Sequence, residues 1–201
     1  LSRRNFDSLQ YFTLNSTNIQ SVQEAALIIR ELSKLPQLYF LDLSGLPSLF
    51  PAIFPYLNKY LPRFPALKRI HFDSNEWSYK DISLISQILP KCKELLHVSM
   101  MNQPQESWVM STAVFLYDCI KNSEKLINLD FNYENIPEEI NSRIAIALVW
   151  NAQKSIDSNW QLDELSSQDD LLFDGELISE TAGNILDKFN DSAKLKEDST
   201  K

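Results

Sequence analysis

Glycine and cysteine are the scarce residues of this chain: only three of its 201 residues are Gly and two are Cys. So little glycine argues against long flexible linkers inside the folded part. Two cysteines, Cys92 and Cys119, specify neither a disulfide framework nor a metal site, and we expect both to be buried thiols in a reducing compartment. The sequence also lacks a signal-peptide pattern and any apolar run of about 18 residues that could cross a bilayer. From these absences we expect no membrane partner.

Basic residues are in deficit as well. Lys and Arg number 19 against 27 Asp and Glu, which gives a net charge of −8. We see no stripe of Lys and Arg and no Gly-rich phosphate loop, so we expect no nucleic-acid partner. The excess of acid lies at one end, because residues 158–201 carry a charge of −7 and residues 1–157 a charge of −1. This acidic segment is interpreted either as a contact for a basic partner or an autoinhibitory element, or as a solvated extension.

What the chain does have is an apolar frame, with residues at offsets 0, 3 and 5, that recurs along the sequence. Successive copies begin 29, 29, 28 and 31 residues apart. A fixed period of about 20 to 50 residues is typical of a solenoid. Each copy predicts a short strand whose apolar residues point inward. The copies are Leu9, Phe12, Leu14; Leu38, Leu41, Leu43; Leu67, Ile70, Phe72; Leu95, Val98, Met100; and Leu126, Leu129, Phe131.

A helix is predicted after each strand. Ser21 and Glu24 have the spacing of a capping box at the first helix, and Ser78 opens the third with an acid three residues on. The fourth helix is predicted over 108–120, with Val109 on its inner face. Alternating strands and helices imply right-handed crossovers and parallel strands in one sheet. The sequence therefore predicts an α/β solenoid of about five strand–helix repeats with the helices on the outside.

Three segments follow from this pattern. Residues 1–157 form the repeat array, residues 158–189 a C-terminal cap with an acidic amphipathic segment, and residues 190–201 a disordered tail. Trp160 and Leu162 are assigned to the cap. Because the chain starts with Leu1 rather than Met and runs straight into a repeat, we expect it to begin inside a longer protein.

This frame, with its period of 28 to 31 residues and a full helix in each unit, resembles the leucine-rich repeat superfamily, specifically its ribonuclease-inhibitor-like branch. The resemblance covers residues 1–157. That family places Asn or Cys at offset 8, where this chain has Asn75 in one copy and Leu46, Gln103 and Glu134 in others. The resemblance implies a horseshoe-like arc whose parallel sheet lines the concave side, and such arcs bind proteins there.

Offsets 2, 4 and 6 of each frame are the strand positions expected to face away from the core. Exposed aromatic residues beside Arg are the types that dominate interface energetics, and both histidines of the chain fall at these positions. We therefore predict that a protein partner binds here. The predicted partner-binding residues are Tyr11, Thr13, Phe40, Asp42, Arg69, His71, Asp73, His97, Ser99, Met101, Asn128 and Asp130.

A catalytic or metal site is the alternative use of this face. His71, His97 and Asp73 could in principle meet a Zn²⁺ ion, or the histidines could act in acid/base catalysis. The 26 residues between the two histidines reflect the repeat, the expected sheet is open to water, and no activated nucleophile is recognisable. We therefore favour an interface role and expect neither enzymatic activity nor a metal or cofactor.

The leading functional hypothesis is a protein–protein interaction module of a larger intracellular regulator or scaffold, cytoplasmic or nuclear and monomeric as a domain. Two alternatives stay open. GTPase-activating proteins of the Ran-activator type are similar in joining such repeats to an acidic tail. The substrate-recognition half of a ubiquitin-ligase receptor would carry its F-box before Leu1.

Overall fold

The computed structural model describes residues 6–17, 19, 21–134 and 136–157. The predicted cap, acidic segment and tail over residues 158–201 lie outside the described residues. The chain divides into two units, Leu1–Ala152 and Gln153–Lys201. All contacts given below lie within the first unit.

In the described part of the chain, five short parallel strands form one sheet, in the order in which they occur along the sequence. Each strand is three residues long and is centred on the middle residue of its apolar frame. The register aligns Phe12 with Leu41, Leu41 with Ile70, Ile70 with Val98, and Val98 with Leu129. The strands are β1 Tyr11–Thr13, β2 Phe40–Asp42, β3 Arg69–His71, β4 His97–Ser99 and β5 Asn128–Asp130.

A helix follows each strand, and short 3₁₀ segments occur in the connections at residues 47–49, 61–63, 89–91 and 105–107. The helices are α1 Val22–Leu32, α2 Phe54–Tyr60, α3 Tyr79–Ile88, α4 Met110–Asn122 and α5 Glu138–Asp157. The predicted α/β solenoid of strand–helix repeats is confirmed by this alternation and by the parallel sheet. No helix among the described residues is long and apolar enough to span a membrane.

The core is built from the recurring frame. Its three positions are buried in the second to fifth copies, and Leu41, Ile70 and Val98 are fully shielded from solvent. In the first copy, by contrast, Leu9 and Phe12 are only half-buried. Full burial of a Leu or Ile side chain is worth about 1.5–3 kcal/mol, so the frame is a main source of stability in each repeat.

Both predicted N-terminal serines cap their helices. The Ser78 hydroxyl accepts from the Asp81 amide while the Asp81 carboxylate accepts from the Ser78 amide, which completes a capping box on α3. Ser21 accepts from the Glu24 amide at the start of α1. Each cap satisfies a backbone N–H that the helix itself leaves without an acceptor.

The start of α4 differs from the prediction. Val109 is the N-cap residue, in extended conformation, and its side chain is exposed, so its assignment to the inner face is wrong. An extended residue does not follow the phase of the helix after it, and helical spacing therefore misplaces Val109. Trp108 is buried instead and packs against Phe131, with ring centroids 5.6 Å apart.

Candidate functional site

The strand register places the predicted partner-binding residues in rows across the sheet. One row runs Tyr11, Phe40, Arg69, His97, Asn128, and the next runs Thr13, Asp42, His71, Ser99, Asp130. Asp73 and Met101 lie just beyond the ends of β3 and β4. We call this set of twelve residues the polar sheet face.

Aromatic rings form a ladder at one side of the polar sheet face. The ring centroids of Tyr11 and Phe40 lie 5.8 Å apart, those of Phe40 and His71 4.9 Å, and those of His71 and His97 5.4 Å. Tyr11 is 42% exposed, and Phe40 and His71 are half-buried. Ring pairs at these distances hold each other in place, so the ladder offers accessible aromatic surface in a fixed arrangement.

The second feature of this face is a chain of hydrogen bonds across three strands. Arg69 Nε donates to His97 Nδ1 at 3.3 Å, and His97 Nε2 lies 2.7 Å from Asp130 Oδ2. Because Nδ1 accepts from an arginine that has only N–H groups to offer, Nε2 carries the hydrogen that Asp130 accepts. The chain therefore fixes the tautomer and the orientation of the His97 ring.

Asp42 joins the first two strands. Its Oδ2 atom accepts from Thr13 Oγ1 and Asn15 Nδ2, each at 3.2 Å, and its Oδ1 atom accepts from the Ser44 amide at 2.9 Å. Both oxygens of this carboxylate are thus occupied within the protein. Asp42 therefore acts in the structure as a connection between β1 and β2.

Asp73 plays a comparable part further along the sheet. Its Oδ1 atom accepts from the Ser99 hydroxyl at 2.6 Å and from the Met101 amide at 2.7 Å. Since Ser99 pairs with Asp130 in the register of β4 and β5, two carboxylates flank Ser99 from opposite sides. Asp73 is half-buried, and the Asp130 side chain is 45% exposed.

The expectation of a sheet face open to water is wrong for four of the predicted residues. Asp42, Arg69, His97 and Ser99 are buried, each at most 9% exposed. Parallel strands lie about 4.8 Å apart, so polar side chains on adjacent strands are close enough to bond and to cover one another. The accessible residues of the polar sheet face are Tyr11, Thr13, Phe40, His71, Asp73, Met101, Asn128 and Asp130. That these residues bind a partner stays a prediction.

His71 is held neutral by its surroundings. Burial lowers the pKa of its imidazole, and the nearby His97 lowers it further, while Asp73 and Asp42 act in the opposite direction. Its Nε2 atom is shielded from solvent and has no hydrogen-bond partner among the described groups. A proton added there would be charged in a poorly solvated position.

The zinc alternative finds no arrangement of ligands in the described residues, which contain no group of three His, Cys, Asp or Glu side chains able to hold a metal ion. Both ring nitrogens of His97 are also hydrogen-bonded, to Arg69 and Asp130, and so are not available as metal ligands. Burial raises the pKa of Cys92 and of Cys119 to about 12, so both thiols are protonated at neutral pH. Cys119 is buried as predicted, whereas Cys92 is half-buried.

Sequence reasoning missed the role of Gln103, which stands where the family has Asn or Cys. Asn75 at the same offset donates to the Leu43 and Phe72 carbonyls and accepts from the Leu46 amide. Gln103 likewise donates to the Phe72 carbonyl and accepts from the Trp77 amide. The longer Gln side chain therefore bonds to backbone groups of the turn as Asn75 does. The signal in the sequence was its position at offset 8, the same as that of Asn75.

Two solved structures share this fold. A tropomodulin C-terminal domain from Caenorhabditis elegans superimposes with a TM-score of 0.65 and 14% identity, covering 76% of this chain and 90% of that one. The leiomodin-1 actin-binding site 2 gives a TM-score of 0.63 and 15% identity, covering 80% of this chain and 91% of that one. At these identities the likeness concerns the fold alone.

Two curated proteins of Saccharomyces cerevisiae (strain ATCC 204508 / S288c) are similar in sequence. HMG2-induced ER-remodeling protein 1 is 43% identical over 223 residues, covering 98% of this chain and 18% of its own length. MAP-homologous protein 1 is 30% identical over 188 residues, covering 87% of this chain and 13% of its own length. The chain thus spans less than a fifth of either relative. The family described as the MHP1/HER1/GIP3 LRR domain matches residues 1–103, and this chain belongs to it.

Proposed function

We propose that this chain is a protein-interaction module of a longer protein and that it binds a polypeptide partner through the polar sheet face. The observation that carries the proposal is the aromatic ladder of Tyr11, Phe40 and His71, which remains accessible on the polar sheet face, where Asp42, Arg69, His97 and Ser99 are buried. Tyr in particular is enriched among the residues that contribute most binding energy at protein interfaces.

The rigidity of the face favours binding. Asp42, Asp73 and His97 are each held by hydrogen bonds to neighbouring strands or turns. A partner that binds such a surface does not have to order these side chains first, which removes a cost of about 0.5–1.5 kcal/mol for each side chain that would otherwise be immobilised.

The relatives support the same proposal. Since the chain covers 18% of HMG2-induced ER-remodeling protein 1 at 43% identity, we infer that it serves as one domain of a protein of that kind, with a role in remodelling the endoplasmic reticulum. A structurally similar domain in leiomodin-1 is named an actin-binding site, which is an example of this fold binding a protein. A cytoplasmic or nuclear location fits the two unpaired, protonated thiols.

Site-specific photo-crosslinking in cells tests the proposal. A photoreactive amino acid is placed at Tyr11, on the polar sheet face, or at Leu84, on the outward side of α3; the two side chains are 42% and 43% exposed. We expect defined protein adducts from position 11 and none above background from position 84. Equal labelling at the two positions, or no adduct at position 11, would contradict binding through the polar sheet face.

A further inference from the structure

The polar sheet face has two chemically different ends. The β1–β2 end presents Tyr11 and Phe40, which are aromatic. The β3–β5 end presents Asp73 and Asp130, the partly accessible carboxylates on either side of Ser99. A ligand that lies across the sheet therefore meets aromatic surface at one end and negative charge at the other.

The negative charge is only partly satisfied within the protein. Asp73 uses Oδ1 for the Ser99 hydroxyl and the Met101 amide, and Asp130 uses Oδ2 for His97. The Ser99 hydroxyl donates its one hydrogen to Asp73, so it does not donate to Asp130. One acceptor oxygen of each carboxylate is thus left for a ligand that brings hydrogen-bond donors and positive charge.

A metal ion is a poor occupant, because the described residues do not gather three ligating side chains. A guanidinium or ammonium group suits the position better, since it carries only donors and matches the charge. Met101 follows Ser99 closely in the chain and is half-buried, so its thioether can pack against the aliphatic stem of such a side chain.

The distance between the two ends sets the spacing within the ligand. Strands lie about 4.8 Å apart, so β2 and β4 are separated by about 10 Å and the middle of the β1–β2 pair lies about 12 Å from β4. An extended peptide advances about 3.3 Å per residue. An apolar or aromatic residue at the first end therefore lies three or four residues away from a basic residue at the second end.

We propose that the polar sheet face recognises an extended segment of a partner protein in which an aromatic or large apolar residue is separated by three or four positions from Arg or Lys. This inference rests on the proposed function, because it names the partner chemistry of the same face. The cation lies between Asp73 and Asp130, and the apolar residue packs on Tyr11 and Phe40.

Selection from a random library of short peptides displayed on phage, with the 201-residue chain immobilised, tests this inference. An enriched peptide is then synthesised with a fluorescent label, and its Kd is measured by anisotropy. We expect peptides with the stated spacing to be enriched, and their affinity to fall as ionic strength rises because the ion pairs are screened.

Two double variants, each of which removes two negative charges, distinguish a specific contribution of Asp73 and Asp130 to binding from an effect of net charge alone. D73N/D130N keeps an acceptor oxygen for Ser99, Met101 and His97 but removes both negative charges, whereas D118N/E124Q changes two exposed acids elsewhere on the chain. We expect about tenfold weaker binding for the first and unchanged binding for the second. Thermal melts confirm that each variant is folded.

The outcomes also separate this inference from the proposed function. Peptides that lose affinity on Y11A/F40A but not on D73N/D130N would keep the polar sheet face as the binding surface and overturn the basic specificity. Peptides that bind all these variants equally well would overturn both. A selection that enriches no peptide would overturn the inference, since the face would then not accept a short extended segment.

Discussion

At the scale of single residues, two buried amide side chains, Asn75 and Gln103, connect adjacent repeats. Asn75 is 1% exposed and makes three hydrogen bonds to backbone groups in the second and third repeats. Gln103 links the third and fourth repeats through the Phe72 carbonyl and the Trp77 amide. Each amide satisfies backbone groups in turns that no strand or helix can satisfy, because those groups lie between elements.

Replacing Asn75 by Ala should destabilise the protein strongly. The Leu46 amide and the Leu43 carbonyl would lose their partner in a buried position, and each orphaned group costs about 1–3 kcal/mol. The Phe72 carbonyl would keep its bond from Gln103. We expect urea denaturation to show a loss of at least about 2 kcal/mol. The matched control, Asn122→Ala on the exposed end of α4, should cost less than about 1 kcal/mol; similar losses at both positions would contradict a special role for Asn75.

His71 should make stability depend on pH. Its pKa is lower in the folded protein than the usual 6.5, so below that pH the unfolded chain binds more protons at this residue. Stability is therefore fully present above pH 6.5 and declines as the pH falls through the lowered folded pKa. Denaturation at a series of pH values should show a shallower decline for His71→Gln than for the natural chain. Parallel curves for the two proteins would show that His71 does not contribute.

At the scale of elements, the apolar frame predicts the centre of each strand better than its ends. Each strand is only three residues long, and isolated segments of that length are not stable as strands. They form because the frame residues are held in the core on both sides of the central residue. Helical spacing likewise predicts the start of α4 poorly, because the N-cap residue Val109 is extended and does not follow the helical pattern.

Leu41, the central frame residue of β2, provides the test at this scale. It is fully buried among neighbouring frame residues, so Leu41→Ala should cost about 2–5 kcal/mol through lost burial and the cavity left behind. Leu27→Ala is the control, because Leu27 is 49% exposed on α1 and has little burial to lose. Equal melting temperatures for these two variants would mean that the frame is not the core.

At the scale of the whole folded unit, stability is transmitted from each repeat to its neighbours. Among the described residues, each strand pairs only with the strands that precede and follow it in sequence. The first repeat is the least covered, because Leu9 and Phe12 are half-buried whereas the same positions of the second repeat are fully buried. At the other end, Asn151 of α5 donates to the Ile120 and Leu126 carbonyls and so links α5 to the end of α4 and to the start of the fifth frame.

Hydrogen exchange should show that the strands differ in stability along the repeat array. We expect the amides of β2, β3 and β4 to exchange most slowly, those of β5 at an intermediate rate, and those of β1 fastest, since repeat arrays open from poorly covered ends. Exchange followed by mass spectrometry, with peptides that resolve each strand, measures the order. Uniform protection across the five strands would indicate that the unit opens only as a whole.

The sequence by itself determined the repeat, the identity of the buried frame, the parallel order of the strands and the rows in which the polar residues stand. These follow from local periodicity, because a residue's face on a strand is set by its offset within the repeat. Only the tertiary structure decided which polar residues remain accessible. Asp42 bonds to Thr13 across 29 positions, and His97 to Asp130 across 33, so each residue's exposure depends on the side chain that the adjacent repeat places beside it.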